Sequence, residues 1–172
     1  MMKKPFTFSA QGFTLIETLV AISILTVAIA GPMFTAQVSI TASRSSQDEL
    51  TASSLAQEGL EYVRARRDDN MLTSQSWLSG LDACFATNGC TIDATNTTSG
   101  GVAACTGICP VLYISAAYLY NQQQSGTPTV FTRTVHITIV DDHTAIVSVT
   151  VSWTSAHQSR FVNVQETLEN WL

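Results

Sequence analysis

The sequence predicts an α+β fold in which a long, kinked amino-terminal helix packs its outer half on a carboxyl-terminal antiparallel sheet. Three observations point to it. An apolar run extends from Phe13 to Phe34; beyond Pro32 apolar residues recur at spacings of three and four; and from Thr129 the pattern changes to strict alternation.

Of the 172 residues, 45% are apolar and 12% charged, the net charge is -5, and the mean hydropathy is +0.19. That composition is too apolar for a disordered chain and too acidic for one that holds nucleic acid on a basic surface. The apolar residues are concentrated in FTLIETLVAISILTVAIAGPMF, residues 13–34, where Glu17 is the only ionisable side chain. As a helix this run is roughly 30 Å long, the thickness of a bilayer's hydrocarbon core. Lys3 and Lys4, the only lysines, precede it, and positive charge on that side keeps the amino end cytoplasmic and sends the remainder outward.

Ala28-Ile29-Ala30 also fits the small-residue cleavage site of a secretory signal peptide, but the run is longer than the usual apolar segment of such a peptide. The sharper feature lies at its start. Gly12-Phe13-Thr14-Leu15-Ile16-Glu17, after a short basic leader, resembles the processing signal of type IV prepilins. The resemblance implies removal of residues 1–12 by a prepilin peptidase cutting after Gly12, and N-methylation of the new amino terminus at Phe13. It also implies a role for Glu17. A carboxylate in a membrane helix costs about 2.5 to 3.5 kcal/mol, and in this family the glutamate pairs with the amino group of a neighbouring subunit and sets the axial register. The alternative is a glutamate near the membrane edge that reaches the headgroups.

Gly31-Pro32 lies inside the helical pattern, where proline removes a backbone hydrogen bond and a kink is expected. Beyond it Phe34, Val38, Ala52, Leu55, Ala56, Gly59, Leu60 and Val63 form one apolar stripe on an amphipathic helix that the pattern carries to Asn70. Arg64, Arg66 and Arg67 stand among Glu58, Glu61, Asp68 and Asp69, so a solvated helix end is favoured over a lipid or DNA patch. The stretch from Ala56 to Glu61, with Arg67-Asp68, is similar to the helix end of PilV-like minor pilins.

Residues 71–128 are rich in Gly, Ser, Thr and Asn and contain Cys84, Cys90, Cys105 and Cys109. An even number in an exported chain reads as two disulfides. A zinc site is disfavoured because no Cys-x-x-Cys pair and no nearby histidine is present. Three connectivities are open; local pairs (84 with 90, 105 with 109) are preferred over nested ones. Asn96-Thr97-Thr98 fits a glycosylation sequon, although such a run is also ordinary loop chemistry.

In residues 129–172, Phe131, Val135, Ile137 and Ile139 alternate with polar residues, as do Val147, Val149, Val151 and Trp153. Strands over Val130 to Val140, Ile146 to Thr154 and Arg160 to Thr167 are expected to form an antiparallel meander, with turns at 141–144 and 155–158 and a further edge strand within Leu112 to Tyr120. Arg133 interrupts the first pattern, which suggests that burial begins after it. The ending, from Val149 to Trp153 with Arg160 and Leu168 to Trp171, is similar to the terminal strands of PilV-like minor pilins and of type II secretion pseudopilins.

No catalytic residues, cofactor or metal site stand out. Asp141-Asp142-His143 is a turn before it is a cation site, His136 and His157 lack partners at ligand spacing, and Tyr113, Tyr118 and Tyr120 suit an edge strand. The expectation is therefore a structural one. A minor pilin of a type IV pilus is anchored as a single-pass protein of the inner membrane by residues 13–34, then extracted into a cell-surface filament by a platform protein and an assembly ATPase, alongside other pilins. The alternatives are a type II secretion pseudopilin, or a tip-located subunit for adhesion or DNA uptake. Without the leader, six arginines face thirteen acidic residues, a net charge of -7, so direct nucleic-acid binding is not expected.

Overall fold

A computed structural model describes residues 12–96, 101–124, 126–155 and 158–171. Lys3, Lys4 and the rest of the leader through Gln11, Thr97 and Thr98 of the sequon, and the 156–157 part of the last turn lie outside the described residues. The chain divides into two units, one ending at Arg44 and one running from Ser45 to Leu172.

A single helix, α1 (Leu15–Leu72), contributes to both units, and Pro32 lies within it. In the first unit its apolar side chains are exposed, Phe34 at 69% among them. In the second unit Ala52, Leu55, Ala56, Gly59, Leu60 and Val63 are buried, so the expected stripe is covered from Ala52 onward but not at Phe34 or Val38. Periodicity marks a face; it does not say over what length that face is covered.

The helix runs past Asn70 to Leu72. Ser74, at φ 55, takes the left-handed position, with Gln75 N–H donating to the Asn70 carbonyl (2.8 Å) and Ser74 N–H to the Met71 carbonyl (3.2 Å). This is a Schellman end built on a serine. Asn70 instead lies buried one turn earlier, where its Nδ2 donates to the Trp77 and Ser79 carbonyls and fastens the segment that follows.

After a 3-10 turn at Asp82–Phe85 come, among the described residues, seven strands: β1 (Cys90–Ile92), β2 (Val102–Ala104), β3 (Val111–Ile114), β4 (Tyr120–Asn121), β5 (Thr127–Asp141), β6 (Thr144–Ser155) and β7 (Gln158–Glu169). All pairings are antiparallel. The long β5–β6–β7 meander is the expected one, each strand extending one to three residues beyond the sequence pattern at its ends. On its other edge β5 receives β3 at Val111↔Thr132 and β1 at Cys90↔Val135, with β4 and β2 outside them. Residues 71–128 are thus not merely a loop region. Four short strands in it complete the sheet, and the expected strand within Leu112 to Tyr120 is two strands with a turn between them.

One core joins α1 to the sheet: Leu55, Leu60 and Val63 with Val135, Ile137, Val147, Val149, Val151 and Trp153, and with Cys84, Cys90, Ile92 and Leu112 from the intervening region. Gly59 lets the backbones approach, since a Cβ there would lie 3.1 Å from Val149 Cγ1 and 3.2 Å from Arg133 Cδ. Two expectations on β5 are corrected. Ile139 is 55% exposed, lying past the end of the buried stretch. Burial begins at Phe131, and Arg133 is itself fully buried.

Arg133 is held in the core through its two terminal nitrogens, while its buried Nε has no hydrogen-bond partner. Nη1 donates to the Leu55 carbonyl (3.0 Å) and the Glu58 carboxylate (2.9 Å), and Nη2 to the Ile92 carbonyl (2.7 Å). One side chain thereby ties α1, β1 and β5 together. Burial pushes its guanidinium below the ordinary value, while Glu58 and, more weakly, Asp93 oppose that shift. Gln122 acts likewise between strands: its Oε1 accepts from Ile92 N–H (3.0 Å) and its Nε2 donates to the Pro110 (3.3 Å) and Arg133 (3.2 Å) carbonyls.

Candidate functional site

The first unit presents the residues that the sequence singles out at the amino end. Gly12, Phe13 and Thr14 are non-helical and exposed, and α1 begins at Leu15. Thr14 closes the first turn: its carbonyl accepts from the Glu17 (3.1 Å) and Thr18 (3.2 Å) amides, and its Oγ1 accepts from the Glu17 amide (3.3 Å). Glu17 therefore sits in the first turn, where a carboxylate is favoured by the helix dipole. The pattern Thr-x-x-Glu is a recognised helix-start signature, and it is the local signal that a search for processing residues passes over.

From Leu15 to Phe34 the large apolar side chains are more than half exposed. The polar residues among them do not offer free donors outward. Thr18, Ser23, Thr26 and Thr35 each donate a hydroxyl hydrogen bond to a carbonyl three or four residues back in the same helix. An apolar environment around this segment would leave none of those hydroxyls unsatisfied. By length and composition the segment is able to cross a membrane.

Pro32 interrupts the hydrogen-bond ladder of this helix without ending it. Thr35 Oγ1 bonds the Pro32 (2.9 Å) and Gly31 (3.3 Å) carbonyls beside it.

Residues 8–31 match the family model for the prokaryotic N-terminal methylation motif. The match supports a type IV pilin or pseudopilin. The match spans Gly12, Phe13 and Glu17 and stops at Gly31, one residue before Pro32. No curated protein and no solved structure matches the chain. The motif implies processing by a prepilin peptidase and assembly with other pilins, and a single apolar amino-terminal helix fits a membrane-anchored pilin. Pilins of this family are structural proteins.

The pilin's cysteines lie elsewhere, in the second unit. Cys84 is bonded to Cys90 and Cys105 to Cys109, the local connectivity. The first disulfide is fully buried and fixes the 3-10 turn to β1. The second closes a five-residue loop that is held to the turn before β1, where Cys105 N–H donates to the Gly89 carbonyl (3.0 Å). At its tip Ile108 is 94% exposed. Tyr118 is exposed in the turn between β3 and β4, and Tyr113 and Tyr120 lie on those strands. Among the described residues no three His, Cys, Asp or Glu side chains converge as metal ligands.

Two of the three arginines at the end of α1, Arg64 and Arg67, are engaged with acidic partners. Arg64 bridges Glu61 and Glu166 of β7, and the Glu166 hydrogen bond raises it above its ordinary value. Arg67 pairs with Asp68 at 2.8 Å. In the β5–β6 turn the Asp141 carboxylate accepts from the His143 amide (2.8 Å), and this bond, with hydrogen bonding to Thr144, lowers its carboxyl below the ordinary value. Asp141 is thus occupied as a turn residue.

Proposed function

We propose that this pilin is a minor subunit of a type IV pilus whose role is assembly. One observation carries the proposal: the methylation motif opens a helix segment whose large apolar side chains are exposed and whose hydroxyls are bonded within the helix. Such a segment suits a bilayer first and the packed centre of a filament afterwards.

In this account a prepilin peptidase adds water across the Gly12–Phe13 amide, leaving a carboxylate on Gly12 and an amine on Phe13 that is then N-methylated. Residues 13–34 hold the subunit in the inner membrane with the unit from Ser45 onward exported. Glu17 supplies the charge that pairs with a neighbour's amino terminus and fixes the stagger, and Pro32 supplies a kink. A platform protein and an assembly ATPase drive extraction. The oxidised cysteines fit an exported second unit. The similarity of the end of α1, Ala56 to Glu61 with Arg67-Asp68, to PilV-like minor pilins supports a minor pilin over a secretion pseudopilin, whereas the terminal strands resemble both.

The test is to shear filaments from cells and probe the sheared and envelope fractions for the mature chain. Its presence in sheared filaments supports the minor-pilin role. Retention in the envelope of piliated cells, with loss of protein secretion on gene deletion, would move it to the pseudopilins. A tip-binding role for the cysteine region is tested at the exposed Ile108 rather than by deleting residues 84–109, because that deletion removes β1, β2 and the core residues Cys84, Cys90 and Ile92.

A further inference from the structure

Asp142 shares the β5–β6 turn with Asp141, yet its carboxylate bonds no described residue there. It lines a recess of about 510 Å³ at the carboxyl end of α1 instead. Ser74, Gln75, Ser76 and Trp77 line the same recess from the segment after the helix, and Asn170 from the chain just past β7. The side chains of Ser74, Gln75, Ser76, Asp142 and Asn170 make no hydrogen bond or ion pair with any described residue.

The backbone that carries these free side chains is fixed. Gln75 N–H is bonded to the Asn70 carbonyl (2.8 Å), and Asn70 Nδ2 holds the Trp77 (3.2 Å) and Ser79 (2.9 Å) carbonyls. Asn170 N–H donates to the His143 carbonyl (2.7 Å), which ties the end of β7 to the turn that bears Asp142. A rigid frame with unengaged polar groups on it is the form of a preorganised binding site.

The chemistry of the lining narrows the ligand. Serine hydroxyls and the Gln75 and Asn170 amides both donate and accept, while the Asp142 carboxylate accepts only. Beside them stands the Trp77 indole, half-buried against the core, whose electron-rich face attracts the positive edge of a C–H surface. A sugar ring matches both features, because its hydroxyls each donate and accept and its ring C–H groups form an apolar face. No Lys or Arg is among the described residues that line the recess, and the Asp142 charge repels a phosphate, a nucleic acid or an acidic sugar. The volume lies within the range of small-ligand sites.

We propose that this recess binds a neutral saccharide of one or two hexose rings, with the Trp77 indole as the platform and Asp142, Gln75 and Asn170 bonding the ring hydroxyls. This binding role goes beyond assembly and stands whether the filament is a pilus or a secretion pseudopilus.

The experiment uses the full chain in a zwitterionic detergent, since alkyl glycosides would themselves present sugar headgroups. Glucose, galactose, mannose, N-acetylglucosamine, N-acetylgalactosamine and lactose are titrated, with sialic acid as the anionic control, and binding is read by saturation-transfer NMR. At least one neutral sugar should bind with a Kd of about 0.1 to 10 mM, and sialic acid should not. Asp142→Ala and Gln75→Ala, both at exposed positions, should weaken that sugar about tenfold and about threefold respectively, with unchanged unfolding midpoints. Trp77→Phe should retain binding and Trp77→Ala lose it. The proposal is overturned if no neutral sugar of the set binds at about 50 mM, if neither Asp142→Ala nor Gln75→Ala alters the binding, or if sialic acid binds as tightly as the neutral sugars.

Discussion

The least expected residue of the second unit makes the sharpest quantitative prediction. Arg133 carries a charge into a core with none of its side chain exposed, and Glu58, its only carboxylate partner among the described residues, is 37% exposed. Removing one partner of a fully buried ion pair typically costs about 3 to 5 kcal/mol, because the other charge is left uncompensated. Solvent screening at Glu58 reduces this, and two backbone carbonyls still accept from the guanidinium, so Glu58→Ala should cost about 2 kcal/mol. Arg133→Met keeps much of the volume, removes the desolvated charge and leaves the Ile92 carbonyl without its guanidinium donor, for a cost of about 1 to 2 kcal/mol. In the Arg133→Met background Glu58→Ala should then cost no more than about 0.5 kcal/mol, since a half-exposed glutamate has no buried cation left to serve. The assay is thermal unfolding of the full chain in detergent, followed by tryptophan fluorescence, across the four members of the cycle. Each kcal/mol shifts the midpoint by roughly 2 to 4 °C in a chain of this size, so Glu58→Ala alone should lower it by about 4 to 8 °C. Additive effects, or a Glu58→Ala variant as stable as wild type, would refute the view that Arg133 is held as a compensated charge.

Three further outcomes follow from the geometry. Non-reducing peptide mapping should recover the Cys84–Cys90 and Cys105–Cys109 pairs, and Cys84→Ala with Cys90→Ala should cost about 2 kcal/mol or more, because that bond lies wholly in the core. Glu17→Ala should leave the pilin inserted in the membrane and absent from sheared filaments; normal incorporation would remove the register role. Asp141 should titrate below the ordinary aspartate value by carbon-detected NMR, with its contribution to the β5–β6 turn present above the unfolded-state value and lost as pH falls through the lowered folded-state value. An unshifted titration, or the same acid sensitivity in Asp141→Ala, would contradict that assignment.

The sequence carries the large divisions of this pilin because they depend on local pattern. An apolar run with one glutamate, a glycine before an aromatic and a switch from helical to alternating period are all visible within short windows. Of the short strands only β3 was foreshadowed, by the edge strand expected within Leu112 to Tyr120; β1, β2 and β4 are not visible, because two or three residues in a Gly, Ser and Thr rich stretch show no period. Their order comes from distant partners: β5, two disulfides and the Gln122 side chain. Arg133 was opaque for the same reason. A charged residue at an inward position breaks an alternation unless its acceptors are known, and these come from residues 41 and more positions away. At the amino end Gly12, Phe13 and Glu17 were marked by the motif, whereas the hydrogen bonds by which Thr14 closes the first turn became visible only in the structure.

Membrane release and filament assembly both depend on processing after Gly12, and intact-protein and peptide mass spectrometry of the mature amino terminus reads that processing. The prediction is a chain that begins at N-methyl-phenylalanine, Phe13, with residues 1–12 absent. A mature protein that retains Met1 or Met2, or one that begins after Ala30, would contradict it.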